Sequence, residues 1–257
     1  IHRNSFKSTY FILMKVKVLA SGSKGNCTYL ECGKTKILID LGIGYLTVKR
    51  YLEEIKVDPK EINGILITHI HNDHIKGLAS FVKRTNTKVF VPAGIAIDLK
   101  AYVPKDNIFL LEEKNDLFGI ELEVFHTSHD VPCSVGYIIN YENHSLVYVT
   151  DTGYINQRIL KKLQNKTIYI MESNHDEKML MDGPYPYILK QRVISDSGHL
   201  SNKTAASYLK QLIGQETQYI VLAHLSETNN TEQIAYQTLL DAIPNPKEKI
   251  YIAKQSE

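Results

Sequence analysis

A chain of 257 residues with 43% hydrophobic and 23% charged side chains is long enough to bury a large core, and its composition excludes a disordered or low-complexity protein. Lys and Arg total 30 against 28 Asp and Glu, so no global positive field draws in a polyanion, and any such contact has to rest on local patches. The three cysteines Cys27, Cys32 and Cys133 are odd in number and lack zinc-ribbon spacing, which fits structural thiols in a reducing compartment and a cytoplasmic location.

Residues 10–14 form an apolar run too short to span a bilayer, and no small-residue cleavage site follows it, so no membrane contact is expected. The ordered pattern starts at Met14, and residues 1–13 read as an N-terminal extension or a vector remnant. Residues 15–20 alternate as a strand does, and Ser21-Gly22-Ser23-Lys24-Gly25-Asn26 is a turn rich in small residues. Residues 27–32 and 36–40 read as a hairpin that ends on Asp40. A carboxylate at such a strand exit reads first as a turn former or helix cap. A helix follows over residues 46–55, then a short apolar strand over residues 65–68 and a helix over residues 75–84.

Between that strand and helix lie His69, His71, Asp73 and His74. Three imidazoles and a carboxylate within six residues offer the nitrogen and oxygen donors that borderline cations such as zinc prefer, so the loop reads as a metal cradle. Strands over 88–91, 108–111 and 120–125, with a helix near 95–101, lead to His126-Thr127-Ser128-His129-Asp130. His129 is a candidate further ligand, because one cradle is too small for two metals. A hairpin over 134–141 and 145–150 delivers Asp151, whose two oxygens suit a bridge between cations. Residues 167–171 form an apolar strand followed by Glu172-Ser173-Asn174-His175-Asp176, after which residues 183–187 read as part of a long loop. Gly198-His199-Leu200-Ser201-Asn202 opens a helix over 203–213 that Ser201 or Asn202 can cap. A last buried strand over 219–223 delivers His224-Leu225-Ser226, and a helix over 231–242 and a strand over 249–253 close the chain. No repeat or linker interrupts residues 14–257, which are expected to form a single domain.

The H-x-H-x-D-H string after an apolar strand, followed by His129, Asp151 and His224, resembles the metallo-β-lactamase fold hydrolase superfamily. The motifs at 20–26, 172–176 and 198–202, and His224-Leu225-Ser226 with Asn229 and Asn230, resemble its bacterial YycJ/WalJ group, related to ribonuclease Z. The resemblance implies an α/β fold built as a four-layer αββα sandwich. It also implies two divalent metal ions, Zn or Mn, and 5′-to-3′ exonuclease action on double-stranded DNA as substrate. It gives one metal to His69, His71 and His129, the other to Asp73, His74 and His224, with Asp151 bridging and Asp40 orienting the ligand loop. Asp73 is the expected acceptor of the proton from the attacking water, and His199 is expected to stabilise charge on the phosphoryl or leaving oxygen.

The chain departs from some branches of that superfamily. Cys133 does not stand where β-lactam-cleaving members place a cysteine ligand, Thr127-Ser128 replaces the Pro-Gly of the glyoxalase-type thioesterases, and His71 stands where a diiron flavoprotein has glutamate. Candidate DNA contacts are His175, Asn229, Asn230, Lys190 and Arg192, with Lys83-Arg84 and Lys161-Lys162 as further basic pairs and Tyr185 or Tyr187 for stacking on a frayed base. Two other functions stay open: a phosphodiesterase of small cyclic or mononucleotide substrates, and a regulatory protein whose metals only hold loops. No protein partner is inferable.

Overall fold

The computed structural model describes residues 9–10 and 14–254. Its backbone contacts gather into two compact units, one running to Glu121 and rejoined by Lys254, the other Leu122–Ala253. The first is built on a seven-stranded sheet whose strands lie in sequence order: β1 (Thr9–Tyr10), β2 (Met14–Ala20), β3 (Cys27–Cys32), β4 (Thr35–Ile39), β5 (Gly64–Leu66), β6 (Lys88–Pro92) and β7 (Ile108–Leu111). Strands β1 to β4 pair antiparallel, and β4 to β7 pair parallel. Parallel neighbours need crossover connections, and helices supply them. These are α1 (Tyr45–Glu54), the pair α2 (Asn72–Ile75) and α3 (Leu78–Thr85), and α4 (Ala93–Leu99). Helix α1 buries Val48 and Leu52, four apart on one face, and α3 buries Leu78, Phe81 and Val82.

The helix expected over 75–84 is in fact two. It breaks at Gly77, where a Cβ would lie 1.9 Å from the Ile43 carbonyl oxygen, so the chain passes too close to the 41–43 turn for any side chain. The expected extension 1–13 lies outside the described residues except for Thr9–Tyr10, which add an edge strand in register with Val16 and Lys15.

The unit boundary falls inside β9, in a second seven-stranded sheet ordered β14-β13-β12-β11-β10-β9-β8. Its strands are β8 (Lys114–Leu117), β9 (Ile120–His126), β10 (Val135–Tyr141), β11 (His144–Val149), β12 (Ile168–Glu172), β13 (Tyr219–Ala223) and β14 (Lys249–Ile252). Strands β10 and β11 form a hairpin, and β11 to β14 run parallel. The helices are α5 (Gln157–Leu163), α6 (Glu177–Asp182), α7 (Tyr187–Ile194), α8 (Asn202–Leu212) and α9 (Glu232–Ala242). Val147, Val149, Tyr169, Met171 and Leu222 from the strands pack with Leu209, Leu212 and Leu239 from α8 and α9 in one core. Ser201 caps α8 by accepting from the Thr204 amide, and Thr231 caps α9 from Ile234. The stretch expected as a long loop holds α7. Its Tyr187 and Ile188 are exposed, so it has no apolar stripe that a sequence pattern can reveal. Among the described residues no helix is long and apolar enough to cross a membrane.

Candidate functional site

In the first unit the loops leaving β2, β4 and β5 are laced together by main-chain hydrogen bonds. The Asn26 amide donates to the Asp73 carbonyl at 2.7 Å, Gly42 to Asn26 at 2.8 Å, and Leu41 to His74 at 2.8 Å. Gly42 permits this, because a Cβ there would sit 1.6 Å from the Asp73 oxygen. The lacing sets the positions of His69, His71, Asp73 and His74. Ring centroids of His69 and His71 lie 4.8 Å apart, and those of His69 and His74 lie 4.0 Å apart.

Asp40 settles between its two sequence readings. It turns the chain in a left-handed conformation with φ of 59°, and it caps no helix, since α1 starts at Tyr45. Its buried carboxylate accepts from the Thr68 amide at 2.8 Å, from the Thr68 hydroxyl at 2.9 Å, and pairs with His74 Nδ1 at 2.8 Å. Holding His74 by Nδ1 commits Nε2 to the other side of the ring. There it lies 3.0 Å from the Asn26 side-chain Nδ2 and 3.6 Å from an Asp73 oxygen. His69 is held in the same way, with Nδ1 3.1 Å from the Thr68 hydroxyl.

In the second unit His129, Asp151, His199 and His224 lie together at the exits of β9, β11 and β13 and in the loop before α8. One oxygen of Asp151 lies 3.8 Å from His129 Nε2, 3.7 Å from His199 Nδ1 and 3.4 Å from His224 Nε2. Asp151 and His224 both take φ of 55°, a conformation costing non-glycine residues about 1 kcal/mol or more, of the kind that persists where surrounding structure holds a working side chain in place. His129 Nδ1 contacts the Gly198 carbonyl at 3.3 Å. Burial lowers the His129 pKa, against the opposing pull of the Asp151 charge, and so favours the neutral imidazole that can donate a lone pair.

Beneath this group lies Glu172, which the sequence reading contains only as part of the polar string after β12. It is fully buried and accepts from His199 Nδ1 at 2.7 Å, from His224 Nδ1 at 2.9 Å, and from the amides of Leu200 at 3.0 Å and Thr152 at 3.2 Å. Burial alone would raise its pKa, but the His199 charge and the imidazole hydrogen bonds override that and hold it down to about 2. For His199 the balance runs the other way: burial pulls its pKa down, and the Glu172 charge and hydrogen bond more than reverse this. A carboxylate ending a strand looks like any turn former in sequence, so only the arrival of two imidazoles above it marks Glu172.

The candidate substrate contacts differ in burial and in hydrogen bonding. Asn230 has no amide group to offer, since it donates to the Ser173 and Asn174 carbonyls and exchanges hydrogen bonds with Asn202, so its role is to tie three loops together. Asn229 is 1% exposed and lies against Gly183. His175 is buried, and burial drives its pKa down to about 4. Lys190 donates to the Met181 carbonyl, and Arg192 pairs with Asp130, beside His129. Of the basic pairs, Arg84 stacks over Tyr45 and Lys162 pairs with Glu123.

A group for divalent metals is consistent with these donors. Imidazoles anchored through Nδ1 by a carboxylate, hydroxyl or carbonyl present Nε2 as the ligand atom, which is how metal-binding histidines are usually oriented. In the second unit, ligand atoms of Asp151, Glu172, His199 and His224 lie within 4.8 Å of one another. Residues 35–224 match the family model described as a beta-lactamase superfamily domain. The chain belongs to the metallo-β-lactamase fold superfamily. It is 35% identical over 236 residues to exodeoxyribonuclease WalJ of Streptococcus pneumoniae, covering 89% of this chain and 88% of that protein. It is also 35% identical over 223 residues to exodeoxyribonuclease YycJ of Bacillus anthracis, covering 85% and 84%. The metallo-β-lactamase fold protein YhfI from Bacillus subtilis shares the fold, with a TM-score of 0.73 over 95% of this chain and 98% of that one at 16% identity. The superfamily membership makes this chain a metal-dependent hydrolase, with His and Asp clusters of the kind the fold uses for divalent cations.

Proposed function

We propose that the chain is a two-metal phosphodiesterase that releases nucleotides from the 5′ ends of double-stranded DNA. The observation that carries this reading is Glu172, one buried carboxylate gripping both His224, a candidate ligand, and His199, whose side chain is 19% exposed. A catalyst needs that pairing of a metal donor with an adjacent imidazole free to meet substrate. The donors His69, His71, Asp73, His74, His129, Asp151 and His224 would hold the cations. The cations are zinc or manganese, as a nitrogen-rich donor set without thiolate favours. When bound, such a pair lowers the pKa of a water and neutralises charge on the phosphate.

The remaining work belongs to the chain. Asp73, its side chain 22% exposed and within 3.3 Å of the Asn26 amide nitrogen, accepts the proton of the attacking water. His199, whose protonated form Glu172 favours, stabilises the phosphoryl or leaving oxygen. Asp40 and Glu172 keep His74 and His224 from rotating, so ligand geometry does not have to be re-formed at each turnover. The names of the WalJ and YycJ relatives support DNA as the substrate. Free thiols at Cys27, Cys32 and Cys133 support a reducing, cytoplasmic setting.

The test is release of labelled nucleotide from 5′-labelled duplex DNA, run with Mn²⁺ or Zn²⁺ and with chelator, beside hydrolysis of bis-p-nitrophenyl phosphate. Metal-dependent release from 5′ ends supports the reading. Turnover of the small ester alone assigns the site to small phosphodiesters, and no metal-dependent turnover of either refutes catalysis.

A further inference from the structure

The second unit contains a cavity of about 160 Å³ that the chemistry above leaves unused. Its apolar wall is Phe125, Ile155 and Ile159, which belong to or pack on the core, and its exposed rim is His126, Tyr154 and Asn156. Gly136 makes room for it. A Cβ there would come within 2.5 Å of the Phe125 ring, so the absent side chain fixes where that ring lies. The remaining wall is Thr127, Ser128 and Thr152, the last two next in sequence to His129 and Asp151. The two loops are fastened to each other there, Gly153 N–H donating to the Ser128 carbonyl at 2.9 Å and Ser128 N–H to the Thr152 hydroxyl at 3.1 Å. The cavity is therefore built on the same backbone that carries a candidate ligand and the candidate bridge.

Size and lining narrow what fits. A cavity of roughly 150 Å³ has room for one aromatic ring system. This one therefore takes a single planar ring system and excludes a base pair. Asn156 spends its side-chain oxygen capping α5, accepting from the Arg158 and Ile159 amides, which leaves its amide N–H groups as donors at the rim. Tyr154 is 45% exposed and offers a ring face. Resting on the nuclease reading, we infer that this cavity is a nucleobase subsite that receives one unpaired base of the nucleotide next to the scissile phosphate. A pocket with an apolar wall of Phe125, Ile155 and Ile159 and an aromatic residue at its polar rim grips any base by stacking, so it serves an enzyme that must accept every sequence. It also requires the end of the duplex to fray by one pair before cleavage.

The test combines a substrate change with a protein change. Wild type, Tyr154→Ala and Ile159→Phe are assayed on duplex DNA whose 5′-terminal nucleotide is intact or abasic. Base stacking of this kind is worth roughly 5- to 150-fold in binding. Tyr154→Ala is expected to raise KM on intact ends by about tenfold and to leave KM on abasic ends within about twofold. Equal loss on both ends overturns the subsite. A second arm reads binding alone: nucleoside 5′-monophosphate is titrated into the folded protein by NMR, with deoxyribose 5-phosphate as the base-free control. Shifts at Tyr154 and Ile159 that need the base and vanish in Ile159→Phe support the subsite even in a protein that releases no nucleotide, which separates its failure from failure of the nuclease reading. Equal shifts with the base-free control contradict it.

Discussion

Glu172 and His199 form the pair whose removal separates catalysis from metal binding. His199→Ala is expected to cut turnover about 10²-fold with metal content unchanged, because general acid–base or charge-stabilising groups contribute on that order. Glu172→Gln is expected to lower turnover and also weaken metal affinity by roughly 10- to 100-fold, since it frees His224 as well as His199. Activity assays with metal analysis of both variants check this, and metal loss in His199→Ala would reassign that residue to a ligand role. His175 gives a prediction about stability. Its folded pKa of about 4 lies below the 6.5 of the unfolded chain, so the unfolded state binds the extra proton between those values. Stability of the metal-free protein should thus be intact above pH 6.5 and fall by about 3 kcal/mol as pH drops toward 4. Urea midpoints at pH 7.5 and 4.5 measure the fall, and an equal fall in His175→Gln would show that another group causes it. The sequence makes the donors legible because His and Asp in fixed strings name their own chemistry. It hides the hydrogen-bond partners of Glu172 and Asn230, because a buried carboxylate or amide is distinguished only by what folds over it.

At the scale of elements, most strands were readable, while β8 and three short helices were not. Strands β3, β7 and β13 match their expected bounds because β7 and β13 are short apolar runs and β3 is a run of strand-favouring residues between two turns. The short helices α5, α6 and α7 were not expected, since fewer than nine residues give too little periodicity, and α7 is exposed on its apolar positions. What positions the first-unit donors is loop lacing, which has no sequence period at all. Gly42 is its tightest point, and Gly42→Ala is expected to lower stability by roughly 2–4 kcal/mol and to weaken divalent-metal binding, as the Asp73 carbonyl is forced away from the Asn26 amide. Chemical denaturation together with metal titration measures both effects. Loss of stability with metal affinity intact would mean the lacing supports the fold without setting the ligands.

For the whole molecule, the α/β class and the metallo-β-lactamase family follow from motifs spread across nearly the full chain, and two sheets with flanking helices are present as that fold requires. The division into two compact units has no counterpart in the sequence, where no linker or change of composition marks residue 121. Metal bound by the folded state alone should stabilise it by about 2.7 kcal/mol at a hundredfold excess over Kd, so chelator is expected to lower the melting temperature and Mn²⁺ or Zn²⁺ to restore it. The most direct measurement is the metal content of the purified protein and of His71→Ala, Asp151→Ala and His224→Ala, by elemental mass spectrometry. Two cations per chain in the wild type, with each variant losing at least one, is the expected result; a wild type holding none, or an Asp151→Ala variant that keeps both, contradicts a shared two-cation centre.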